Sequence, residues 1–379
     1  MTNPPIWDAA YELLGPSGEN KAESGGKEIA FREITGEVTL KQHSVDPVKG
    51  REVAPEKELA VEEVSFRIIG DDFNFTHRNS IKSAKNLYYE VENCLLNIFH
   101  QIKDNRDFSI DPVFAFAQDI VSHIKSQSNT WMQLLYKIEN ASDNDTIKNI
   151  VKHSLNTSII AARVGIGLKL RDDRLEDLVM QTCFHDVGML RLPPEIITKM
   201  GKLTNEEMAL IKKHPEYGYE IMRQFEGRYK GFADIILQEH ERYDGSGYPK
   251  GHKDIDIPEN SLIIGISDMY SALLQPRPYR PRCLPFEAIK EIISAAKEQF
   301  PHNIIKTLVN EFSAFPEGLY VRLNSKEVGK VISVNRLAPL SPVVEIIYNA
   351  EGKLQITKTV DLMKDHCLYI TSGFYGEED

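Results

Sequence analysis

Apolar residues recur every three to four positions from Asn79 to about residue 313, and every second position after Pro316. The first period places apolar side chains on one face of a helix, and the second places them on one face of a strand. The chain is therefore predicted to be mainly α, with a helical middle and a compact β appendage at its C-terminal end. Residues 1–78 are weakly patterned and rich in Lys, Glu and Gly, with two strand-like stretches at 28–40 and 61–69, which indicates a small N-terminal module.

The same periods predict the bounds of the elements. After the helix that begins at Asn79, helices are predicted at 113–125, 130–139, 147–170, 173–186, 205–213, 216–225, 230–241, 260–274, 285–299 and 302–313. Strands are predicted at 319–323, 328–334, 343–348 and 354–357, with a hairpin turn at 349–352. The helix over 147–170 carries two apolar stripes and is expected to be buried on two faces. We predict three regions: an N-terminal regulatory or partner module with connecting helices over 1–127, a helical metal-dependent domain over 128–315, and a β extension over 316–379.

The charge of the chain limits its partners. Of its 379 residues 45 are basic and 56 are acidic, and the formal net charge is −11. That charge argues against binding to duplex nucleic acid, because such binding depends largely on phosphate neutralisation. It leaves a small phosphorylated ligand open, since a few local arginines or a metal can hold one. No apolar run approaches the ~18 residues of a membrane-spanning helix, and the N-terminus lacks the pattern of a signal peptide. A cytoplasmic protein without membrane contact is expected.

Six imidazole and carboxylate side chains stand beside strongly apolar sequence in the helical middle: His153, His185, Asp186, His214, His240 and Asp268. Any one of them alone is more simply explained as a core or surface residue, a helix cap or an arginine partner. A metal centre explains all six together, because His nitrogens and Asp oxygens are ordinary ligands of divalent iron, manganese, nickel or zinc. The four cysteines are far apart in sequence and form no CxxC pair, which disfavours a thiolate zinc site.

Two motifs carry a resemblance to a known family. His185–Gly188 reads HDVG and resembles the HDxG signature of HD-superfamily phosphohydrolases. Glu239–Gly251 reads EHERYDGSGYPKG and closely resembles the HHExxDGxGYPxG signature of the HD-GYP family. The resemblance extends over about residues 149–362. It implies an HD-superfamily helical bundle and a bacterial signalling enzyme that hydrolyses cyclic di-GMP to pGpG, GMP or both.

The resemblance also implies a binuclear centre of two divalent transition-metal ions, with iron as first choice and manganese as second. Asp186 would bridge the two ions and take the catalytic position beside a hydroxide that they activate. The other ligands would divide between the ions, with His153, His185 and Asp268 on one, and His214 and His240 on the other. Two such ions clamp a phosphate and lower the pKa of a bridging water towards neutrality.

The segment Asp244–Pro249 suits a phosphate ligand. Its Gly245 and Gly247 are expected to let the backbone approach the ligand closely, and Tyr248 is expected beside the site. An ordinary surface turn is the alternative for this segment.

A second segment, 276–280, carries two candidate phosphate contacts. Its prolines fix the backbone, so that Arg277 and Arg280 can form paired bonds to phosphate oxygens. Arg277 follows Asp268 at the family's spacing and is the better candidate of the two. Solvated surface charge is the alternative reading of both arginines.

Three positions depart from the family pattern. Met189 stands where the pattern HDxGK has a lysine, so a cation expected near the substrate phosphate is missing, and binding or catalysis should be weaker. Glu239 replaces one usual histidine. Asn149 stands where some members have a glutamate that helps to hold a third metal, so two metals are expected.

These departures leave two alternatives beside a cyclic di-GMP phosphodiesterase. The first is a catalytically weak, metal-containing receptor that binds the dinucleotide and signals to a protein partner through its N-terminal region. The second is a phosphodiesterase for a different cyclic nucleotide.

Overall fold

The computed structural model describes residues 69–137, 145–199, 201–275, 282–335, 338, 340–350, 352–365 and 367–374. Its α-helices are α1 (Ile69–Lys103), α2 (Asp111–Ser126), α3 (Ser128–Lys137), α4 (Thr146–Gly167), α5 (Asp172–Cys183), α6 (Pro194–Ile197), α7 (Asn205–Ile211), α8 (His214–Met222), α9 (Phe232–Leu237), α10 (Glu259–Leu274), α11 (Pro285–Ala295) and α12 (His302–Glu311). Short 3₁₀ helices lie at Val187–Arg191, Arg223–Phe225 and Asp254–Asp256. The strands are β1 (Tyr320–Leu323), β2 (Val328–Ser333), β3 (Val343–Tyr348), β4 (Leu354–Asp361) and β5 (Ile370–Phe374). The predicted fold class, mainly α with a C-terminal β extension, is confirmed.

Helix α1 begins at Ile69, ahead of the predicted start at Asn79. The apolar stripe that predicted this helix is buried along Ala84, Tyr88, Val91, Leu95 and Ile98. It packs against α4, α2 and α3, so these helices share one apolar core with the helical middle. Most of the predicted N-terminal module, residues 1–68, lies outside the described residues. The boundary at residue 127 stays a prediction.

Helix α4 lies at the centre of the helical body and is buried on two faces, as predicted. Asp145 caps its start by accepting hydrogen bonds from the backbone N–H groups of Ile147 and Lys148. One face, with Val151 and Leu155, joins an apolar cluster shared with α1, α2 and α5. The other face, with Ile160 and Val164, joins a cluster shared with α10, α11 and α12. His153, which lies on α4, is therefore buried among packed helices and is 1% exposed.

Two of the helices that end earlier than predicted do so next to candidate site residues. Helix α5 ends at Cys183 rather than at residue 186, and α9 covers Phe232–Leu237 rather than 230–241. After α9 the backbone turns, and the carbonyl groups of Glu239 and Glu241 accept hydrogen bonds from the guanidinium of Arg242. The periodic pattern misses these ends because a buried turn can be as apolar as the helix before it.

The C-terminal strands form one antiparallel sheet in the order β4-β3-β2-β1-β5. All four predicted strands are present, and β4 continues to Asp361. Strand β5 was not predicted, because its sequence ITSGF is mostly polar and lacks a clean alternation. At the predicted hairpin, Gly352 has φ 75° and the Asn349 carboxamide oxygen accepts a hydrogen bond from the Lys353 N–H. The sheet joins the helical body where Phe286 of α11 stacks on Phe315.

Within the described ranges, no helix combines the length and the apolar character that crossing a membrane requires.

Candidate metal centre

Three of the six predicted metal ligands lie within helices. His153 is on α4, Asp268 is on α10, and His214 is the first residue of α8. Because α4 and α10 pack against each other, the Nε2 atom of His153 lies 2.7 Å from the Oδ1 atom of Asp268.

The other three predicted ligands lie in turns that follow helices, although the predicted helices 173–186 and 230–241 include them. His185 and Asp186 follow the end of α5, and His240 follows the end of α9. A turn allows His185 and Asp186, which are adjacent in sequence, to direct their side chains to one site. On a continuous helix adjacent side chains diverge by about 100°.

The structure brings all six predicted ligands to one buried place: His153, His185, Asp186, His214, His240 and Asp268, none more than 6% exposed. Two sets of ligand atoms lie close enough to hold metal ions, with every atom within 4.8 Å of the others in its set. The first ligand group is His153, His185 and Asp186; the second ligand group is His214, Glu239 and His240. Asp268 lies beside the first group.

Backbone carbonyl groups orient two of the imidazoles. The Nδ1 atom of His185 lies 2.7 Å from the Thr182 carbonyl oxygen, and that of His214 lies 2.8 Å from the Ile211 carbonyl oxygen. A carbonyl oxygen can only accept, so both Nδ1 atoms carry the proton and donate it. The Nε2 atoms of both residues are then left with lone pairs that face the site, which is the usual arrangement of metal-binding histidines.

Asp186 lies between the two ligand groups, and its two oxygens face different partners. Its Oδ2 atom is 3.3 Å from the Nε2 atom of His185 and 3.9 Å from that of His153. Its Oδ1 atom is 3.5 Å from the Nε2 atom of His214. This disposition is the one that a bridging carboxylate requires.

Glu239 is the site residue that the sequence reasoning missed as a ligand. It was read as the loss of a usual histidine, yet its side chain is fully buried in the second ligand group. Its Oε1 atom lies 3.3 Å from the Nε2 atom of His214. Its position in the sequence, directly before His240, was the available signal. A carboxylate at the position of a metal-binding histidine can itself bind a metal.

Burial shifts the pKa values of the site in opposite directions for acids and bases. It lowers the pKa of His185 to about 3 and also lowers that of His240, which is further disfavoured as a cation by His214. Burial raises the pKa values of Asp186 and Glu239. Burial alone would raise the pKa of Asp268 as well, but the hydrogen bond with His153 and the nearby imidazoles hold it below its usual value. The lowered pKa values of His185 and His240 favour their neutral forms, which can bind a cation.

Several buried polar atoms of the site have no hydrogen-bond partner among the described residues: the Nε2 atom of His185, the Oδ2 atom of Asp186 and both side-chain oxygens of Glu239. Leaving such atoms unpaired costs free energy, and a cation would satisfy all of them at once. The donor set of imidazole nitrogens and carboxylate oxygens fits divalent iron or manganese, and it contains no thiolate.

The glycine-rich turn lies against the second ligand group. The ring of Tyr248 stacks on that of His240, with centroids 4.7 Å apart and an angle of 15° between the planes. The ammonium group of Lys212 lies 5.5 Å from the centroid of the Tyr248 ring, within cation–π range. Tyr248 is thus beside the candidate metal centre, as expected.

The two glycines of this turn have a structural role that the structure makes visible. Gly245 has φ 79°, a backbone conformation that side chains disfavour. A Cβ atom at Gly247 would lie 2.4 Å from the carbonyl oxygen of His240 and from the backbone nitrogen of Arg242. The close approach at Gly247 is therefore to the chain's own backbone, and a contact of either glycine with a ligand stays a prediction. Arg277 and Arg280 lie outside the described residues.

Met189 is 1% exposed and belongs to the apolar cluster of the helical body. Its backbone N–H donates to the carbonyl oxygen of Asp186, so the residue lies directly after the turn that contains His185 and Asp186. Apolar packing by itself accounts for a methionine here.

Comparison with known proteins adds independent findings. Residues 136–304 match the family model described as HD domain, and residues 320–378 match the model described as KOW domain associated with HD domain. The first matched range includes all six predicted ligands and Glu239.

Curated relatives are similar to part of this chain. The cyclic di-GMP phosphodiesterase PdeB of Borreliella burgdorferi is 30% identical over 195 residues, which cover 52% of this chain and 51% of PdeB. A cyclic di-GMP phosphodiesterase of Pseudomonas aeruginosa is 26% identical over 65% of this chain and 59% of its own length. The 3′3′-cGAMP-specific phosphodiesterase 2 of Vibrio cholerae is 28% identical over 49% of this chain and 36% of its own length. The chain thus spans less than two thirds of the length of each of these relatives.

Proposed function

Because residues 136–304 of this chain belong to the HD domain family, we propose that it is a metal-dependent phosphodiesterase that hydrolyses a cyclic dinucleotide, with cyclic di-GMP as the first candidate substrate. The observation that carries the proposal is the position of Asp186, whose two oxygens face His185 and His214 in different ligand groups. Two divalent ions held there would polarise a phosphate and activate water for attack on a phosphodiester.

The residues of this chain have distinct parts in the proposed site. His153, His185 and Asp268 would hold one ion and His214 and His240 the other, with Asp186 shared. The carbonyl groups of Thr182 and Ile211 would fix two of the imidazoles, so that their Nε2 atoms need no reorientation when a metal binds. We place iron first and manganese second as the bound metals, because the donor set suits both.

Substrate contacts are proposed on the side of the turn that contains Tyr248. Its aromatic ring, stacked on His240, offers a flat face beside the metals for a base or a sugar edge. Arg277 and Arg280 are proposed to bind phosphate oxygens. Residues 1–127 are proposed to contact a protein partner.

The relatives are named for two different substrates. The Borreliella and Pseudomonas relatives are named cyclic di-GMP phosphodiesterases, and one Vibrio relative is named a 3′3′-cGAMP-specific phosphodiesterase. A different cyclic dinucleotide is therefore the second candidate substrate.

A catalytically weak receptor is a second candidate function, and one observation favours it. Met189 provides no charge near the proposed phosphate position, where the family pattern has a lysine, and it is packed in the apolar core. A cation in such a site helps most where negative charge develops in the transition state.

The test uses the full chain, purified without oxygen and loaded with iron or manganese. It is incubated separately with cyclic di-GMP and with 3′3′-cGAMP, and linear dinucleotides and mononucleotides are separated by chromatography. We expect hydrolysis of at least one of them that depends on added metal. Tight binding of a cyclic dinucleotide without any product would support the receptor, and neither binding nor product would contradict both functions.

A further inference from the structure

The turn after α9 contains two buried glutamates, Glu239 and Glu241, whose surroundings differ. The carboxylate of Glu241 accepts hydrogen bonds from the backbone N–H groups of Lys250 at 2.7 Å and His252 at 2.9 Å. Neither oxygen of Glu239 accepts a hydrogen bond from any described residue. An ionised carboxylate buried without donors is costly, and a bound cation would supply the partner that Glu239 lacks among the described residues.

The atoms nearest to the Glu239 carboxylate are themselves ligand atoms. Its Oε1 atom lies 3.3 Å from the Nε2 atom of His214 and 3.9 Å from that of His240. Its Oε2 atom lies 3.9 Å from the Nε2 atom of His185. Two ligands that share one ion at about 2.1 Å from each lie about 3.0–3.4 Å apart. One oxygen of Glu239 therefore faces the second ligand group at nearly this spacing, and the other faces the first group.

Asp186 has the same disposition, with one oxygen towards His185 and the other towards His214. Two carboxylates from different turns thus span the same pair of ligand groups. We propose that Glu239 is a second bridging carboxylate, which binds both metal ions of the centre together with Asp186. This inference rests on the proposed two-metal site and adds a ligand to the six that the sequence predicts.

A neutral glutamic acid with a purely structural role is the competing explanation for Glu239. Burial raises the pKa of this carboxyl group, which favours its protonated form. A glutamine reproduces the shape and the neutral charge of the protonated acid, but it cannot supply a charged carboxylate to two ions. The substitution Glu239→Gln therefore separates the two roles.

A second bridge would also affect the choice of metal. With Asp186, Glu239 and Asp268 all ionised, three negative charges would face two divalent ions. Carboxylate ligands suit manganese, whereas imidazole suits zinc and nickel. Glu239→His should therefore shift the relative affinity from Mn²⁺ towards Zn²⁺.

The experiment titrates the metal-stripped full chain with Mn²⁺ alone and follows free and bound ions by electron paramagnetic resonance. We expect two Mn²⁺ per chain with a spin-coupled spectrum in the wild-type protein. Glu239→Gln should weaken at least one Mn²⁺ by roughly tenfold or more and reduce the coupling. Glu241→Gln is the matched control, because its buried side chain contacts backbone N–H groups instead of ligand atoms, and it should keep both ions and the coupling.

Circular dichroism of the metal-free variants verifies that each has folded. Unchanged stoichiometry, affinity and coupling in folded Glu239→Gln would overturn the bridging role and leave a structural acid. Loss of both ions in Glu241→Gln to the same extent would also overturn it, because the effect would then come from the turn as a whole. None of these measurements needs turnover, so a chain that binds two coupled ions but hydrolyses no cyclic dinucleotide would refute the proposed function alone.

Discussion

At the scale of single residues, the candidate site is built from side chains whose own backbone turns orient them. His185 donates its Nδ1 proton to a carbonyl oxygen three residues earlier, and His214 does the same. Asp186 follows His185 directly and places one oxygen towards each ligand group. Removal of Asp186 is therefore expected to affect both proposed ions, whereas removal of His153 should affect mainly one.

The substitution Asp186→Ala should deplete both metals from protein purified without chelator. One of the two proposed bridges would be lost, and Glu239 would be left as the single carboxylate shared between the ions. Elemental analysis of metal per chain is the measurement, with His153→Ala as the comparison. A folded Asp186→Ala protein that retains two ions would contradict the bridging role.

At the scale of elements, the two ligand groups meet because the 3₁₀ helix Val187–Arg191 packs closely on α8. Gly188 makes this contact possible. A Cβ atom there would lie 1.9 Å from the carbonyl oxygen of His214 and 2.5 Å from the backbone nitrogen of Gly218. Both neighbours are helix backbone, which cannot give way as a flexible side chain can.

The substitution Gly188→Ala should therefore push the turn with Asp186 away from His214. Overpacking of this kind costs about 1–3 kcal/mol of stability, and metal affinity should fall with it. Denaturant unfolding of the metal-free protein and a Mn²⁺ titration measure the two effects. Gly227→Ala is the control, because a Cβ atom there meets nothing within 4 Å. Equal stability and affinity in the two variants would show that the close contact does not position the ligands.

At the scale of the whole molecule, folding encloses several titratable groups in one place, so stability depends on pH and on metal together. Burial raises the folded-state pKa values of Asp186 and Glu239 above their ordinary values. Their contribution to the free energy of unfolding is present at low pH and is lost as pH rises towards the folded pKa values. His185 behaves in the opposite way: its folded pKa is about 3 against an ordinary 6.5, so its contribution is present above pH 6.5 and is lost as pH falls below it.

Bound divalent ions would stabilise the two carboxylates in their ionised forms. They would therefore offset the loss of folding stability at higher pH. We expect the rise in melting temperature that Mn²⁺ produces to grow as pH rises from the ordinary carboxyl pKa of about 4 towards the raised folded pKa values of Asp186 and Glu239, because the metal must displace protons from the acids. Each tenfold gain in affinity adds about 1.4 kcal/mol at fixed excess metal. Thermal unfolding with Mn²⁺ and with chelator at each pH is the measurement. A metal-dependent rise that stays constant over this range would contradict the raised carboxyl pKa values.

The sequence by itself determined the order and type of most elements, because the apolar period depends only on which face of a helix or strand is buried. The sequence also indicates six candidate ligands, because each of these polar residues lies in an apolar stretch and one metal centre would explain all of them. Strand β5 escaped because its residues are mostly polar.

Some features of the site depend on contacts between segments that are distant in sequence, and these features are visible in the folded structure alone. From the sequence, Glu239 is interpreted as the loss of a histidine. In the structure, the turn after α9 places its oxygens beside His214 and His185, and neither oxygen accepts a hydrogen bond from a described residue. From the sequence, Met189 is interpreted as the loss of the family's lysine. In the structure, its side chain is packed in the apolar core. The physical reason is the same in both cases: a local pattern reports how apolar a position is, whereas the partners of a buried polar atom are set by how separate elements pack together.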